Sequence, residues 1–228
     1  MKKRILFALA LAAAVISCAA EGRVFALATA GDVDSALAEN IRARLEEISG
    51  AEVRLADAVP MEAGQTLEAI GRAAALALGE NDHSVIVLTR AGAEQPQGVC
   101  LPDVRFAALN LSRLESGIEQ DQDKLVRRAT QEGLRVMAML VGMSSCPFPL
   151  CVLVGYEKTE DLDRMSGSFC PPCQDRFTRI AREAGIRLVE KSEPAAEEAA
   201  APAAEPAPEA APVAAPVPAA EPAPAAAE

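Results

Sequence analysis

RVMAMLVGMSSCPFPLCVLVGYEKTEDLDRMSGSFCPPC, residues 135 to 173, carries four of the six cysteines of a 228-residue chain. They fall into two close pairs, Cys146-x4-Cys151 and Cys170-x2-Cys173. Short loops of this kind can close round one tetrahedral Zn(II) ion as a thiolate set. Pro147, Pro149, Pro171 and Pro172 lie within the pairs. They narrow the unfolded ensemble and hold the turns that four convergent sulfurs require. Two disulfides are the alternative, with three connectivities among the four thiols. Spacing alone leaves both open.

Upstream of the cysteines, Arg135 is the one charged residue between Gly133 and Met143. A helix beginning near Gln120 is therefore expected to be largely buried here. Further back the chain alternates strand and helix. Arg23 to Thr29 reads as a strand. Asp32 or Asp34 is placed to cap a helix with the stripe Val33, Leu37, Ile41, Leu45 and Ile48, stopped before Gly50. Glu52 to Ala58 is a short strand, and Glu62 to Leu78 a second helix with Leu67, Ile70, Ala74 and Leu78 on one face. Ser84 to Arg90 is a continuous β-branched run, the pattern of a central strand covered on both faces. Val104 to Leu111 adds another. The fold class is α/β (α+β), a mixed sheet with packed helices followed by a cysteine-rich helical end.

The two ends read differently. Lys2, Lys3 and Arg4 precede an apolar run from Ile5 to Ile16, the layout of a secretion signal over residues 1–17. The run falls short of the roughly 20 apolar residues of a membrane span. Val15-Ile16-Ser17-Cys18 resembles the bacterial lipobox, whose cysteine is acylated and becomes the mature N-terminus. Acyl chains on Cys18 would hold the protein to a membrane without a spanning segment. With Ala19 rather than Asp after the cysteine, the expected address in a Gram-negative envelope is the periplasmic face of the outer membrane. Residues 192–228 hold 9 of the 16 prolines and 7 glutamates, with no Lys, Arg, aromatic or Leu. Such a tail cannot offset its ordering entropy and reads as a disordered, self-repelling spacer. Residues 18–191 remain for one folded domain.

Acidic residues number 33 against 22 basic, a formal charge of -11. That balance argues against a nucleic-acid partner. A single histidine, His83, excludes a three-histidine zinc centre within one copy. Cys100 and His83 together would make a thiol and base only if the fold joined them, and chance placement is the expectation.

The segment 135–173 resembles the archaemetzincins, a family of metzincin-type zinc metalloproteases patterned HExxHxxGxxHC, a second cysteine, a Met-turn and a closing CxxC. Gly142 stands at the family glycine where the helix ends. Cys146, Cys151, Cys170 and Cys173 match the structural-zinc cysteines, and Phe169 precedes the CxxC as in the family. The resemblance implies a metzincin-like sheet and one structural zinc in a C-terminal four-cysteine subdomain. It also implies a cleft beside the sheet edge, with Tyr156 near it as core or rim. The departures all fall on the chemistry. Arg135 occupies the place of the first zinc-binding histidine, Val136 that of the general-base glutamate, Met139 the second histidine and Ser145 the third. Leu153 replaces the Met-turn methionine. A catalytic zinc needs three N or O ligands and a carboxylate to take the proton of its water, and these side chains supply neither. Val136 and Met139 are expected to fill the old metal volume, and Arg135 to pair with a carboxylate or reach the cleft. The expectation is a pseudoprotease that keeps its structural zinc and leaves room for a peptide or protein ligand. A hydrolase with an unrecognised centre and a purely structural envelope lipoprotein are the alternatives.

Overall fold

The computed structural model describes residues 22–118 and 120–189. The signal sequence, Cys18 and the Ala/Pro/Glu-rich tail lie outside the described residues.

Five strands form one sheet in the order β2-β1-β3-β5-β4. β1 (Val24–Ala30), β2 (Val53–Leu55), β3 (Asp82–Thr89) and β5 (Phe106–Asn110) are mutually parallel. β4 (Gly98–Leu101) runs antiparallel along the outer side of β5. The β-branched run lies in the middle strand, β3, and every residue from Ser84 to Thr89 is buried, as a strand covered on both faces requires.

Period-two alternation divides the core. Phe25 and Leu27 of β1 and Ile86 and Leu88 of β3 face one way, into a cluster completed by α1 (Ser35–Ser49) and α4 (Gln122–Leu140). Ala26, Ala28, Val85 and Val87 face the other way, under α2 (Leu67–Leu76). Asp34 caps α1 by accepting from the Ala36 N–H at 2.8 Å, and Leu37, Ile41 and Leu45 bury the predicted stripe. Each such side chain contributes about 1.5–3 kcal/mol by leaving water. A Cβ on Gly133 of α4 would lie 2.7 Å from a Leu45 methyl, so the missing side chain lets α4 lie directly on α1.

The mixed sheet with packed helices and a cysteine-rich end is the architecture expected, but boundaries moved. β2 keeps only Val53–Leu55 of the predicted 52–58, an edge strand of the short kind. α2 begins at Leu67 rather than Glu62, because Gly64 turns with φ +79° and Thr66 is the cap, accepting from Ala69 N–H at 3.3 Å. β4 and a short α3 (Leu111–Leu114) were not predicted, while α5 (Pro171–Glu183) is the helix of the cysteine-rich end, given no bounds in advance. β4 has four residues beginning with glycine, too few to show alternation.

After α5 the chain returns to the amino ends of the first strands. Arg23 bridges Ile186 in parallel, and Ala51 bridges Leu188 in antiparallel sense.

Candidate metal centre and the neighbouring helix

α4 ends by rule. The Gly142 N–H bonds the Met139 carbonyl at 2.9 Å, the Met143 N–H reaches back to Ala138 O at 2.8 Å, and Gly142 sits at φ +83°. The chain then leads into Cys146, whose N–H donates to Leu153 O at 3.0 Å, closing the loop that carries Cys151. Val152 N–H donates to Ser168 O at 2.8 Å and brings that loop against the second cysteine pair. Cys170 is the N-cap of α5, with Pro171 and Pro172 opening the helix.

The result is a cluster in which the four Sγ atoms of Cys146, Cys151, Cys170 and Cys173 all lie within 4.8 Å of one another. Four sulfurs at about 2.3 Å from a tetrahedral ion are about 3.8 Å apart. The Cys146–Cys170 separation is 3.9 Å. The donor set therefore fits a metal cage, and the expected structural site is assembled. Cys151 and Cys170 are buried, whereas Cys146 and Cys173 are half-buried. Backbone N–H groups point at the sulfurs: Cys170 N–H toward Cys151 Sγ at 3.5 Å and Phe148 N–H toward Cys146 Sγ at 3.4 Å. The Cys173 N–H, in the first turn of α5, holds the Cys170 thiol below its ordinary pKa, as helix N-termini do.

Where the resemblance places catalytic ligands, the side chains differ in burial. Val136 and Leu153 are buried, at 6% and 4% exposure. Met139 is 45% exposed and Ser145 faces solvent. Arg135 does pair with a carboxylate, but one on its own helix. Its Nε lies 3.2 Å from Glu132 Oε1, an ion pair by distance and not a well-aligned hydrogen bond. Its Nη1 donates to Val152 O at 2.7 Å and Val154 O at 2.6 Å, and its guanidinium lies 4.9 Å over the Tyr156 ring. Gln97 donates to the Tyr156 hydroxyl and accepts from Thr159 Oγ1 at 2.9 Å. Burial raises the Glu132 carboxyl pKa against the pull of Arg135. The Tyr156 phenol is raised too, by burial first and then by the Glu132 charge.

His83 and Cys100 are not brought together. Cys100 pairs with Ala107, which pairs with Ile86, so it lies level with Ile86 and not with His83. Burial pushes the Cys100 thiol up to about 11, while burial and then Arg105 and Arg23 push His83 down to about 4. Neither group is primed as nucleophile or as cation.

Sequence reading missed the polar inner face of α4. Arg128 is 1% exposed, forks onto Asp163 at 2.8 and 2.7 Å, and donates to Leu114 O and Ser116 O, both at 2.8 Å. Gln131 donates to Leu162 O at 2.9 Å. One signal was present: polar residues recur at 128, 131, 132 and 135, along the side of the helix that continues into the buried Gly133–Met143 stretch.

No protein-family model matches the chain. It is 30% identical over 83 residues to an archaemetzincin of Pyrobaculum aerophilum, a match covering 36% of this chain and 50% of that protein. The chain thus spans about half the length of the curated relative it matches. A zinc-dependent peptidase from Methanocorpusculum labreanum superposes with a TM-score of 0.58 at 17% identity, over 67% of this chain and 99% of its own. Archaemetzincin from Methanopyrus kandleri gives 0.57 at 18%, over 70% and 96%. Archaemetzincin from Archaeoglobus fulgidus, complexed with malonate, gives 0.53 at 20%, over 67% and 99%.

Proposed function

We propose, from the premise that this chain has the archaemetzincin fold, that it is an exported, lipid-anchored pseudoprotease with one structural zinc and no catalytic zinc. The reading rests above all on Arg135. A fixed positive charge stands where the first metal ligand would be, and its Nη1 donates to Val152 O and Val154 O. A guanidinium repels Zn(II) and cannot lose its proton. Val136 accepts no proton, Met139 and Ser145 point to solvent, and His83 is far down the sheet on β3.

The zinc of the cage, when bound, supplies a cross-link and no chemistry: Cys146, Cys151, Cys170 and Cys173 would fill its four positions, leaving none for water. It ties the end of α4 to the start of α5. Cys18, acylated, supplies the anchor, and the periplasmic face of the outer membrane is the address.

The ligand class that suits this reading is an extended peptide. β4 is the outermost strand of the order, and its pairing with β5 uses only one of its edges. A peptide adding there would be held by main-chain hydrogen bonds, which need neither metal nor base. Three measurements test the reading together: metal stoichiometry of the purified chain, binding of a peptide library to wild type and Arg135→Ala, and intact-mass detection of cleavage. One zinc per chain and bound, uncut peptides are expected. Two zincs, or cut peptides, would overturn the pseudoprotease assignment, and an absence of binding at millimolar concentration would remove the ligand. For the anchor, Cys18→Ala is expected to move the protein from the membrane to the soluble fraction.

A further inference from the structure

The first described residue, Gly22, lies at the amino end of β1, where Val24 N–H bonds Asn81 O at 2.8 Å and Arg23 bridges Ile186. β1, β2 and β3 are parallel, and α1 and α2 are the crossovers between them, so both helices run back and finish at this same end of the sheet. α5 finishes there too, since Gly185 O accepts from Arg23 N–H at 2.7 Å.

Three residues, Ala19 to Glu21, separate Cys18 from Gly22, so four Cα steps join them. Fully extended, they span at most about 14 Å. A domain of this size has a radius of gyration of about 15 Å and so a width of about 40 Å. Such a leash holds the Gly22 end next to whatever binds Cys18 and keeps the far side away from it.

That end also bears Leu76, the last residue of α2 and, at 89% exposure, the most exposed large apolar side chain among the described residues. The turn after it, Gly79 to Asp82, is the one that bonds Val24. Among the described residues nothing covers Leu76, and its place at the Gly22 end is independent of the lipobox. Arg23 and Arg105 are exposed at this end, but so are Glu80 and Asp103. Charges of both signs face out here, and the attraction to a surface would be apolar.

We infer that the amino end of the sheet, with Leu76 as its apolar contact, lies against a lipid bilayer. The inference rests on the acylation of Cys18 proposed above. It sends the carboxyl ends of β1 and β3, and the corner of Gln97, Arg135 and Tyr156, away from the membrane. Gln97 O accepts from Asn110 N–H at the carboxyl end of β5, which fixes that direction. The β4 edge then runs from Leu101 near the bilayer to Gly98 further out.

The chain contains no tryptophan, so one introduced at a time reports alone. Leu76→Trp and Phe148→Trp both replace exposed side chains, and the second sits in the cysteine loop at the opposite end of α5. The full acylated chains would be placed in vesicles of phosphatidylethanolamine and phosphatidylglycerol with or without brominated phosphatidylcholine, after flotation and intact mass have shown them bound and lipidated. The tryptophan at 76 is expected to lose about half of its emission in brominated vesicles, as residues at the headgroup boundary do, and the one at 148 almost none. A chain that floats but shows equal quenching, or quenching at 148 alone, overturns the orientation and leaves the anchor standing. A chain that carries no lipid and does not float overturns the anchor and the orientation with it.

Discussion

The loop from Cys146 to Tyr156 is held from two sides, by two cross-links of opposite design. On one side four sulfurs converge within 4.8 Å and fit a dissociable ion. On the other, Arg135 reaches from α4 to the carbonyls of Val152 and Val154, with Glu132 and Tyr156 around it. The first needs all four thiolates and a metal from outside. The second is complete within the chain, because a guanidinium brings its charge and its donors covalently attached. A chelator can undo the one and not the other.

The largest effect should come from the cage. Cys146→Ser or Cys173→Ser is expected to abolish metal binding and unfold the C-terminal part, since thiolate zinc coupled to folding is worth about 10–16 kcal/mol. Metal analysis and circular dichroism would read this. Full metal content in either variant, or two disulfides and no metal in the non-reduced wild type, would rule the cage out as a zinc site.

Arg128→Ala should come next, at about 3 kcal/mol, because it leaves the Leu114 and Ser116 carbonyls and Asp163 without their partner. Thermal unfolding with metal retained is the expected result, and an unchanged midpoint would show the buried fork to be dispensable.

Arg135→Ala should cost less, about 1–2 kcal/mol, and again leave metal content untouched. Arg135→Lys is not expected to restore it, since one ammonium lacks the planar fork that serves two carbonyls and a carboxylate at once. Loss of zinc in either variant would mean that the two cross-links are one unit.

The smallest effect is one of pH. Glu132 has its folded pKa raised by burial, so the folded state holds its proton more tightly than the unfolded state does. Its contribution to stability is fully present below the unfolded value of about 4.5 and is lost as pH rises through the folded value. Glu132→Gln should flatten this limb of the stability curve in urea titrations. An identical pH profile in the variant would place the raised pKa elsewhere.

Much of this was legible in the residues. The stripe of α1 and the β-branched run of β3 announce their partners, because burial of one face is what their periods encode. The cysteine spacing announced four convergent sulfurs, though not whether a metal or disulfides joined them. The Arg135 corner was half legible. Arg135 itself stood out against an apolar stretch, but Glu132 and Gln97 look like ordinary polar residues until the fold buries one and delivers the other from 59 positions away to Tyr156. The exposure of Met139 was not legible for a related reason. Near the end of a helix that is buried almost throughout, one face still looks outward, and only the packing of neighbours decides which.

The return of the chain to its starting point has a mechanical meaning. Arg23 and Ile186 run in parallel, so tension between Gly22 and Val189 pulls the two segments past each other in shear and does not peel them apart. The bonds loaded first are Arg23 N–H to Gly185 O, Arg187 N–H to Arg23 O, Glu52 N–H to Arg187 O and Val189 N–H to Gly50 O, between 2.7 and 2.9 Å. The ion pair of Arg187 with Glu52 at 2.8 Å backs them. Force applied at the two ends is thus short-circuited across this clasp, and the long path between them, thiolate cage included, stays slack until the clasp gives way.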